Sequence, residues 1–361
     1  MTRYLLAGGG TAGHVNPLLA LADLIRDTEP DSKVWALGTA EGLESRLVPE
    51  RGFELLTVPR LPFPRRLNLT ALKFPLRYGA SVKRVIGYLK QHQIEVVVGF
   101  GGYASAPAYS AARRLGIPVV IHEANALPGM ANKMAAKRAA GVGVAFRNTA
   151  IPQAQFVGMP LRKEIEQLAA GITVADRFAA RAHFGLDEST TTLLVTGGSL
   201  GAKRLNETIE ASRPSLRAAG IQVLHIVGDR SELEAEATAD FVRIKYCDRM
   251  DLAIAAADFA VCRAGSATVS EFAAIGLPAV YVPYPVGNGE QRFNVADLVD
   301  AGGGLMCLDA DFTPDFVASV LIPLVSDSRA RNLIANAAKA VGVADGSARL
   351  LALVQSVLAR R

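Results

Sequence analysis

Cysteine is scarce in this chain. Cys247, Cys262 and Cys307 are odd in number and lack metal-ligand spacing, so reduced core thiols in a cytoplasm are expected, with no disulfide framework and no metal. No apolar run reaches the ~18 to 20 residues of a membrane span, and the segment after Met1 meets Gly8 too soon for a secretory core. Low-complexity stretches are absent and the 33 glycines follow no period, which excludes fibrous and disordered classes. Aromatics make up only 6% and no base-reading motif is present, so nucleic acid is not an expected partner. Acidic residues are missing altogether from Arg60 to Lys90. That stretch holds Arg60, Arg65, Arg66, Lys73, Arg77, Lys83, Arg84 and Lys90, interleaved with Leu61, Phe63, Leu67, Leu69, Leu72, Phe74, Leu76 and Tyr78. A basic surface with protruding apolar side chains is drawn to anionic lipid at ~1 kcal/mol per basic residue, so half of them engaging gives about 4 kcal/mol, enough for reversible docking. A solvated helical face has the same composition.

Half of the 361 residues are hydrophobic, enough to fill two cores of roughly 150 to 180 residues each. Apolar β-rich runs alternate with helical patterns: 34–37, 95–98, 119–121, 142–144, 193–195, 223–227, 259–261 and 279–282. Such alternation predicts βαβ units, hence an α/β fold with parallel strands covered on both faces. The first half runs through Gly8-Gly9-Gly10-Thr11-Ala12-Gly13, Gly99-Phe100-Gly101-Gly102-Tyr103 and Gly116-Ile117-Pro118. The second repeats that order with Gly197-Gly198-Ser199, Arg263-Ala264-Gly265-Ser266 and Gly276-Leu277-Pro278. Two doubly wound domains follow, 1–160 and 161–346, with 164–173 as connector and a helix over 347–361 expected to pack back on the first.

A strand that turns through glycines into a helix leaves backbone N–H groups facing solvent at the positive end of the helix dipole. Both glycine turns are therefore expected to seat an anion. Gly8, Gly10 and Gly13 match the dinucleotide spacing, but the second strand, Val34-Trp35-Ala36-Leu37-Gly38-Thr39, has no terminal acid for a ribose, which argues against NAD. His14 falls in the first helical turn, where the dipole disfavours imidazolium and suits a general base; a helix-capping or loop histidine fits equally. His122, Glu123 and Asn125 follow a strand's carboxyl end, where open α/β sheets bind ligands.

In Cys262–Glu271, Ser266 and Thr268 with nearby amides suit phosphate oxygens. Glu271 suits two vicinal hydroxyls of a ribose, or else a capping box. Gln291 and Asn294 lie three apart on a helix beginning near Gly289 and suit an uncharged sugar. Asp309-Ala310-Asp311 precedes the helix start Thr313-Pro314 and reads as a solvated loop, which favours a metal-independent mechanism.

Taken together, segments 9–14, 101–107, 122–125, 158–162, 197–202 and 262–271 resemble the peptidoglycan N-acetylglucosaminyltransferases, in that family's order and over nearly the whole chain. The resemblance implies a GT-B fold of two Rossmann-like domains facing a cleft. It implies transfer of N-acetylglucosamine from UDP-N-acetylglucosamine, a substrate and not a cofactor, to the C4 hydroxyl of undecaprenyl-pyrophosphoryl-N-acetylmuramoyl-pentapeptide, with inversion. By similarity His14 is the base, and Thr11, Ala12, Gly13 and Asn125 line the donor site. Arg162, Ser199 and the turn Ser266, Ala267, Thr268, Val269 and Ser270 meet the pyrophosphate. Glu271 holds the ribose, Gln291 and Asn294 the aminosugar, and backbone at Cys247 the uracil, while Tyr103 and Glu123 face the acceptor. The family more often has Gln where Ala124 stands, Asn where Met159 stands and an aliphatic residue at Cys247. A peripheral place on the cytoplasmic face of the cell membrane is implied, with cell-wall synthesis proteins as partners. Another GT-B transferase, a UDP-N-acetylglucosamine epimerase of similar fold and a non-catalytic sugar-nucleotide sensor are the alternatives.

Overall fold

The computed structural model describes residues 1–64, 69–198 and 201–360. Two compact units divide the chain: Met1–Arg162 with Asp345–Arg361, and Lys163–Ala344.

In the first unit β1 (Arg3–Ala7), β2 (Lys33–Gly38), β3 (Glu54–Thr57), β4 (Val96–Gly99), β5 (Val119–Glu123), β6 (Gly141–Val144) and β7 (Ala154–Phe156) form one sheet. Its order is β3-β2-β1-β4-β5-β6-β7, parallel throughout. Successive strand residues point to opposite faces, so each strand feeds two cores. Leu5, Ala7, Val97 and Ile121 pack with Val82, Val85 and Ala108. Tyr4, Leu6, Val96, Val98 and Val120 pack with Val15, Leu18, Leu350 and Val354 on the other face.

The second unit repeats the plan. It comprises β8 (Thr191–Thr196), β9 (Ile221–Ile226), β10 (Glu236–Ala237), β11 (Phe241–Ile244), β12 (Phe259–Cys262), β13 (Ala279–Tyr281) and β14 (Leu305–Met306). They are ordered β10-β11-β9-β8-β12-β13-β14. Short β10 runs antiparallel to β11, and the other pairs are parallel. In both sheets the strand order reverses at the centre, between β1 and β4 and between β8 and β12. Those are the topological switch points beyond which open α/β sheets bind ligands, and the glycine turns start there.

Each of the eight apolar runs falls on a strand. The two-to-four-residue strands β3, β10, β11 and β14 were not anticipated, because runs so short carry too little alternation to stand out. The expected connector 164–173 is instead largely a helix, Lys163–Ala170, whose Ile165 and Ala169 lie one turn apart and are buried. It packs on the helix Ser266–Ile275 within the second unit.

By composition, Ser328–Leu358 holds an 18-residue window of mean hydropathy 1.3, enough for a membrane span. The stretch is two helices, Ser328–Val341 and Gly346–Leu358, interrupted at Gly342. The first buries Ile334 and Ala338 in the second unit and the other buries five aliphatic side chains in the first, so the apolar faces serve two cores.

Candidate active site

In the first unit β1 ends at Ala7, the chain turns through Gly8, Gly9 and Gly10, and the helix Ala12–Thr28 begins with Thr11 as its extended N-cap. His14 therefore stands in the first helical turn, half-buried. Its Nδ1 lies 3.2 Å from the Gly9 carbonyl oxygen and 3.3 Å from Thr11 Oγ1. A carbonyl only accepts, so this contact places the proton on Nδ1 and leaves Nε2 as the basic nitrogen. Nε2 points towards Gly101, where an added Cβ would lie 3.1 Å away. Gly102, with φ +81°, presses against the Gly9 carbonyl so closely that any side chain would strike it. The turn after β4 thus fixes the carbonyl that fixes the histidine.

In the first glycine turn one of the amides expected to face an anion is already taken. Glu44, buried at the start of the helix Glu44–Glu50, accepts hydrogen bonds from Gly10 N (2.8 Å), Thr39 N (2.7 Å) and Thr39 Oγ1 (2.8 Å). A carboxylate already occupies the Gly10 amide. An acid does follow the second strand, then, but it is spent on backbone instead of a ribose.

Glu123 also departs from expectation. Its carboxylate is buried, accepting from Asn125 N (2.9 Å), Gly129 N (3.0 Å) and Asn132 Nδ2 (2.9 Å), while Tyr109 Oη donates to Asn132 Oδ1 (2.7 Å). These bonds hold the 124–129 loop from beneath and place half-buried Asn125 beyond β5. An acceptor contact through Glu123 is therefore corrected to a loop-holding one. Tyr103 remains partly open at 36% exposure, with the Arg60 guanidinium 5.2 Å from its ring centre.

Beside this network His122 is fully buried. Its Nε2 lies 3.0 Å from the Gly158 carbonyl oxygen, and its Nδ1 has no partner. Burial pushes the imidazole from its ordinary 6.5 down to about 4, because protonation would strand a charged N–H in the core. Between those two values the unfolded chain binds a proton that the folded one refuses, so His122 withdraws about 3 kcal/mol of stability as pH falls from 6.5 to 4. Urea titrations of the wild type and His122→Gln should show the variant losing correspondingly less stability over that interval. Equal losses would contradict the assignment.

In the second unit the helix Ser266–Ile275 starts directly after β12, with Gly265 as N-cap and no side chain capping it. Its first turn, Ser266 to Thr268, thus presents amides and two hydroxyls at the positive dipole end. Glu271 is the sixth residue of the helix and half-buried, beyond the third position a capping box requires, so that alternative is set aside. Gln291 and Asn294 lie on the helix Glu290–Asp300, which Gly289 caps as expected. Gln291 Oε1 accepts from Tyr284 N (2.8 Å). Asn294 is buried and donates Nδ2 to the Ala264 carbonyl (3.3 Å), so it steadies the turn before Ser266 and the open sugar contact expected of it is corrected. Cys247 is buried between β11 and the helix Met250–Ala256. Ser199 lies outside the described residues.

Asp309 is not a solvated loop residue. Parallel β12, β13 and β14 bring their carboxyl ends side by side, and Arg263 Nη1, just beyond β12, lies 2.6 Å from Asp309 Oδ1, beyond β14. Arg263 also donates to the Val282 and Pro283 carbonyls (3.1 and 3.3 Å) and lies 5.6 Å from the Tyr284 ring centre. With Gly201, Arg230 and Ser231 this pair lines a pocket of about 990 Å³ at the end of the sheet. Among the described residues no group of three or more His, Cys, Asp or Glu could hold a metal ion. Glu44, Asn132 and Tyr109 escaped the sequence reading because their partners are backbone or lie far along the chain.

Comparison with known proteins bears on the same elements. Residues 4–144 match the glycosyltransferase family 28 N-terminal domain and residues 192–350 its C-terminal domain. A relative from Leifsonia xyli subsp. xyli is 57% identical over 358 residues, covering 99% of both chains. One from Streptomyces coelicolor is 46% identical over 361 residues, covering 99% of this chain and 98% of its own. Both are named UDP-N-acetylglucosamine--N-acetylmuramyl-(pentapeptide) pyrophosphoryl-undecaprenol N-acetylglucosamine transferase. The crystal structure of MurG from Acinetobacter baumannii superimposes with a TM-score of 0.77 at 28% identity, covering 99% of this chain and 100% of its own. A Staphylococcus aureus MnaA–UDP structure, at 12% identity and TM-score 0.69, covers 99% of this chain and 97% of its own and shares the fold alone.

Proposed function

Because the chain belongs to the family of UDP-N-acetylglucosamine--N-acetylmuramyl-(pentapeptide) pyrophosphoryl-undecaprenol N-acetylglucosamine transferases, we propose that it performs that transfer with His14 as the base. It is a GT-B glycosyltransferase, and the 57% identity across essentially all of both chains is the observation that carries the activity. The C4 hydroxyl of the lipid-linked muramyl sugar attacks the anomeric carbon of UDP-N-acetylglucosamine. The new C–O bond forms as the bond to the pyrophosphate breaks, its electron pair leaves with UDP, and the hydroxyl proton passes to His14 Nε2. Apart from the proton taken up by His14, no group on the protein forms or breaks a bond.

The first unit takes the acceptor at His14 and Tyr103, while Thr11, Ala12, Gly13 and Asn125 contact the donor. The second takes the donor. The first turn of the helix Ser266–Ile275, with Ser199, meets the charge that grows on the departing UDP, each charge-assisted hydrogen bond contributing about 1.5 to 3 kcal/mol. Glu271 accepts from the ribose hydroxyls, Gln291 donates its amide to the aminosugar, and backbone at Cys247 receives the uracil. Metal is not required in this scheme, since helix ends supply the positive field.

The acceptor is lipid-linked, and the helix Leu69–Gln91 carries the means to reach a bilayer. Leu72 and Leu76 are 77% and 80% exposed, beside Lys73 and Arg77. Arg65 and Arg66 lie outside the described residues. We place the chain peripherally on the cytoplasmic face of an anionic membrane through this helix.

One experiment tests both statements. UDP release from labelled UDP-N-acetylglucosamine is followed with and without the prenyl-pyrophosphoryl muramyl-pentapeptide, in anionic vesicles at low and high salt. Release that needs the acceptor, together with vesicle binding that salt weakens, is the expected result. Release without the acceptor overturns the transfer. Salt-independent binding overturns the electrostatic docking.

A further inference from the structure

Glu44 has no place in the transfer described above, yet it is a buried carboxylate two hydrogen bonds away from the base. Its Oε2 accepts from Gly10 N at 2.8 Å. Gly10 N and the Gly9 carbonyl belong to one peptide group, and that carbonyl oxygen lies 3.2 Å from His14 Nδ1. The chain of contacts is therefore Glu44 carboxylate, Gly9–Gly10 peptide, His14 imidazole. A negative charge on the N–H side of a peptide polarises it and makes its carbonyl a stronger acceptor, so the two hydrogen bonds reinforce each other.

We propose that Glu44 is a positioning residue for His14, acting through the Gly9–Gly10 peptide to hold the Nδ1–H tautomer and to stabilise the imidazolium formed when Nε2 takes the acceptor's proton. The arrangement resembles a carboxylate–histidine pair in which a backbone amide has been interposed between the partners. The proton remains on His14 until it is released to solvent.

Three features support a tuned contact over mere packing. The carboxylate is itself anchored, with Oε1 accepting from both Thr39 N and Thr39 Oγ1, so its orientation towards Gly10 is fixed. No side chain fits at Gly9, where a Cβ would strike the Glu44 carboxylate. Gly102 closes the opposite side against the Gly9 carbonyl. The peptide is clamped between them.

The other titratable groups around His14 are unsuited to the task. His122, on β5, stays neutral through its burial. Glu123 is committed to Asn125, Gly129 and Asn132, and burial raises the Tyr109 hydroxyl so far that it stays protonated. Glu44 reaches the ring through a single peptide group.

The inference rests on His14 being the base, and the experiment separates the two claims. Wild type, Glu44→Gln, His14→Ala and the double variant are compared for kcat, donor KM and the pH profile, with folding verified by thermal melts. Glu44→Gln should lower kcat about 10-fold or more, leave donor KM nearly unchanged, and move the acid limb about half to one pH unit lower, because a less stabilised imidazolium loses its proton more readily. Added to His14→Ala, it should change nothing further. An active His14→Ala overturns the base assignment. An inactive His14→Ala beside a Glu44→Gln enzyme with the wild-type profile overturns the role of Glu44 alone, as does a kcat loss that multiplies in the double variant without moving the acid limb.

A second reading needs no substitution. In the wild-type protein the Gly10 amide resonance should titrate together with the His14 ring, and a Gly10 amide indifferent to that titration overturns the proposal even if Glu44→Gln fails to fold.

Discussion

His14→Ala should reduce kcat by about 100- to 10,000-fold, the range over which a positioned general base contributes, while UDP-N-acetylglucosamine binds with nearly its wild-type affinity. The expectation follows from the division of labour between the units. His14 lies at the carboxyl end of the first sheet, whereas the amides, hydroxyls and Glu271 assigned to the donor lie on the second. Removing the imidazole deletes an interaction made only as the acceptor hydroxyl loses its proton, so kcat and kcat/KM should fall together. His14→Gln sharpens the test, since its amide can still hydrogen-bond but cannot take up the proton; it should be as slow as alanine. Near-normal turnover by either variant, with intact donor binding, would remove His14 from the role. Glu123 would not inherit it, because its carboxylate already receives three hydrogen bonds in the 124–129 loop.

The sequence displayed this site unevenly, for a physical reason. What depends on chain order was readable: a strand, a glycine turn and a helix succeed one another at Tyr4 to Leu18 and again at Phe259 to Phe272, and both fall at switch points. The helix start at Gly289 was readable for the same reason, since capping is local. What depends on which backbone atom a side chain finds was not. Glu44 reaches Gly10 across 34 positions and Asp309 reaches Arg263 across 46, and nothing in either local sequence separates a carboxylate bound to backbone or to an arginine from one in solvent. Glu123 and Asn294 stand on elements where ligand contacts were expected, but their side chains hydrogen-bond to neighbouring loops. Polar residues at a strand's carboxyl end serve the ligand or the loop that frames it, and only the hydrogen-bond partners distinguish the two.

The second large effect concerns the far end of the chain. A protein ending at Ala344 should fail to fold its first unit while the second folds. The helix Gly346–Leu358 buries Leu350, Leu351, Leu353, Val354 and Val357 against Tyr4, Leu6, Val15, Leu18 and Val120 of the first unit. Leu353 and Val357 also sit over Gly141, where a Cβ would meet them at 3.1 to 3.4 Å, so the fit leaves no slack. Burying five such side chains contributes roughly 1.5 to 3 kcal/mol each, about 7 to 15 kcal/mol in all and as large as the whole stability of a typical domain. Trp35 makes the outcome easy to read, because it is the single tryptophan of the chain and stands on β2 of the first unit. Its emission in the shortened protein should match that of the urea-unfolded chain without any urea, while far-UV circular dichroism retains a cooperative transition from the second unit. Leu350→Ala in the full-length chain gives the graded version, with a loss of about 2 to 5 kcal/mol confined to the Trp35 transition. A shortened protein with native Trp35 emission and an unchanged melt would mean that the first unit completes its core without this helix.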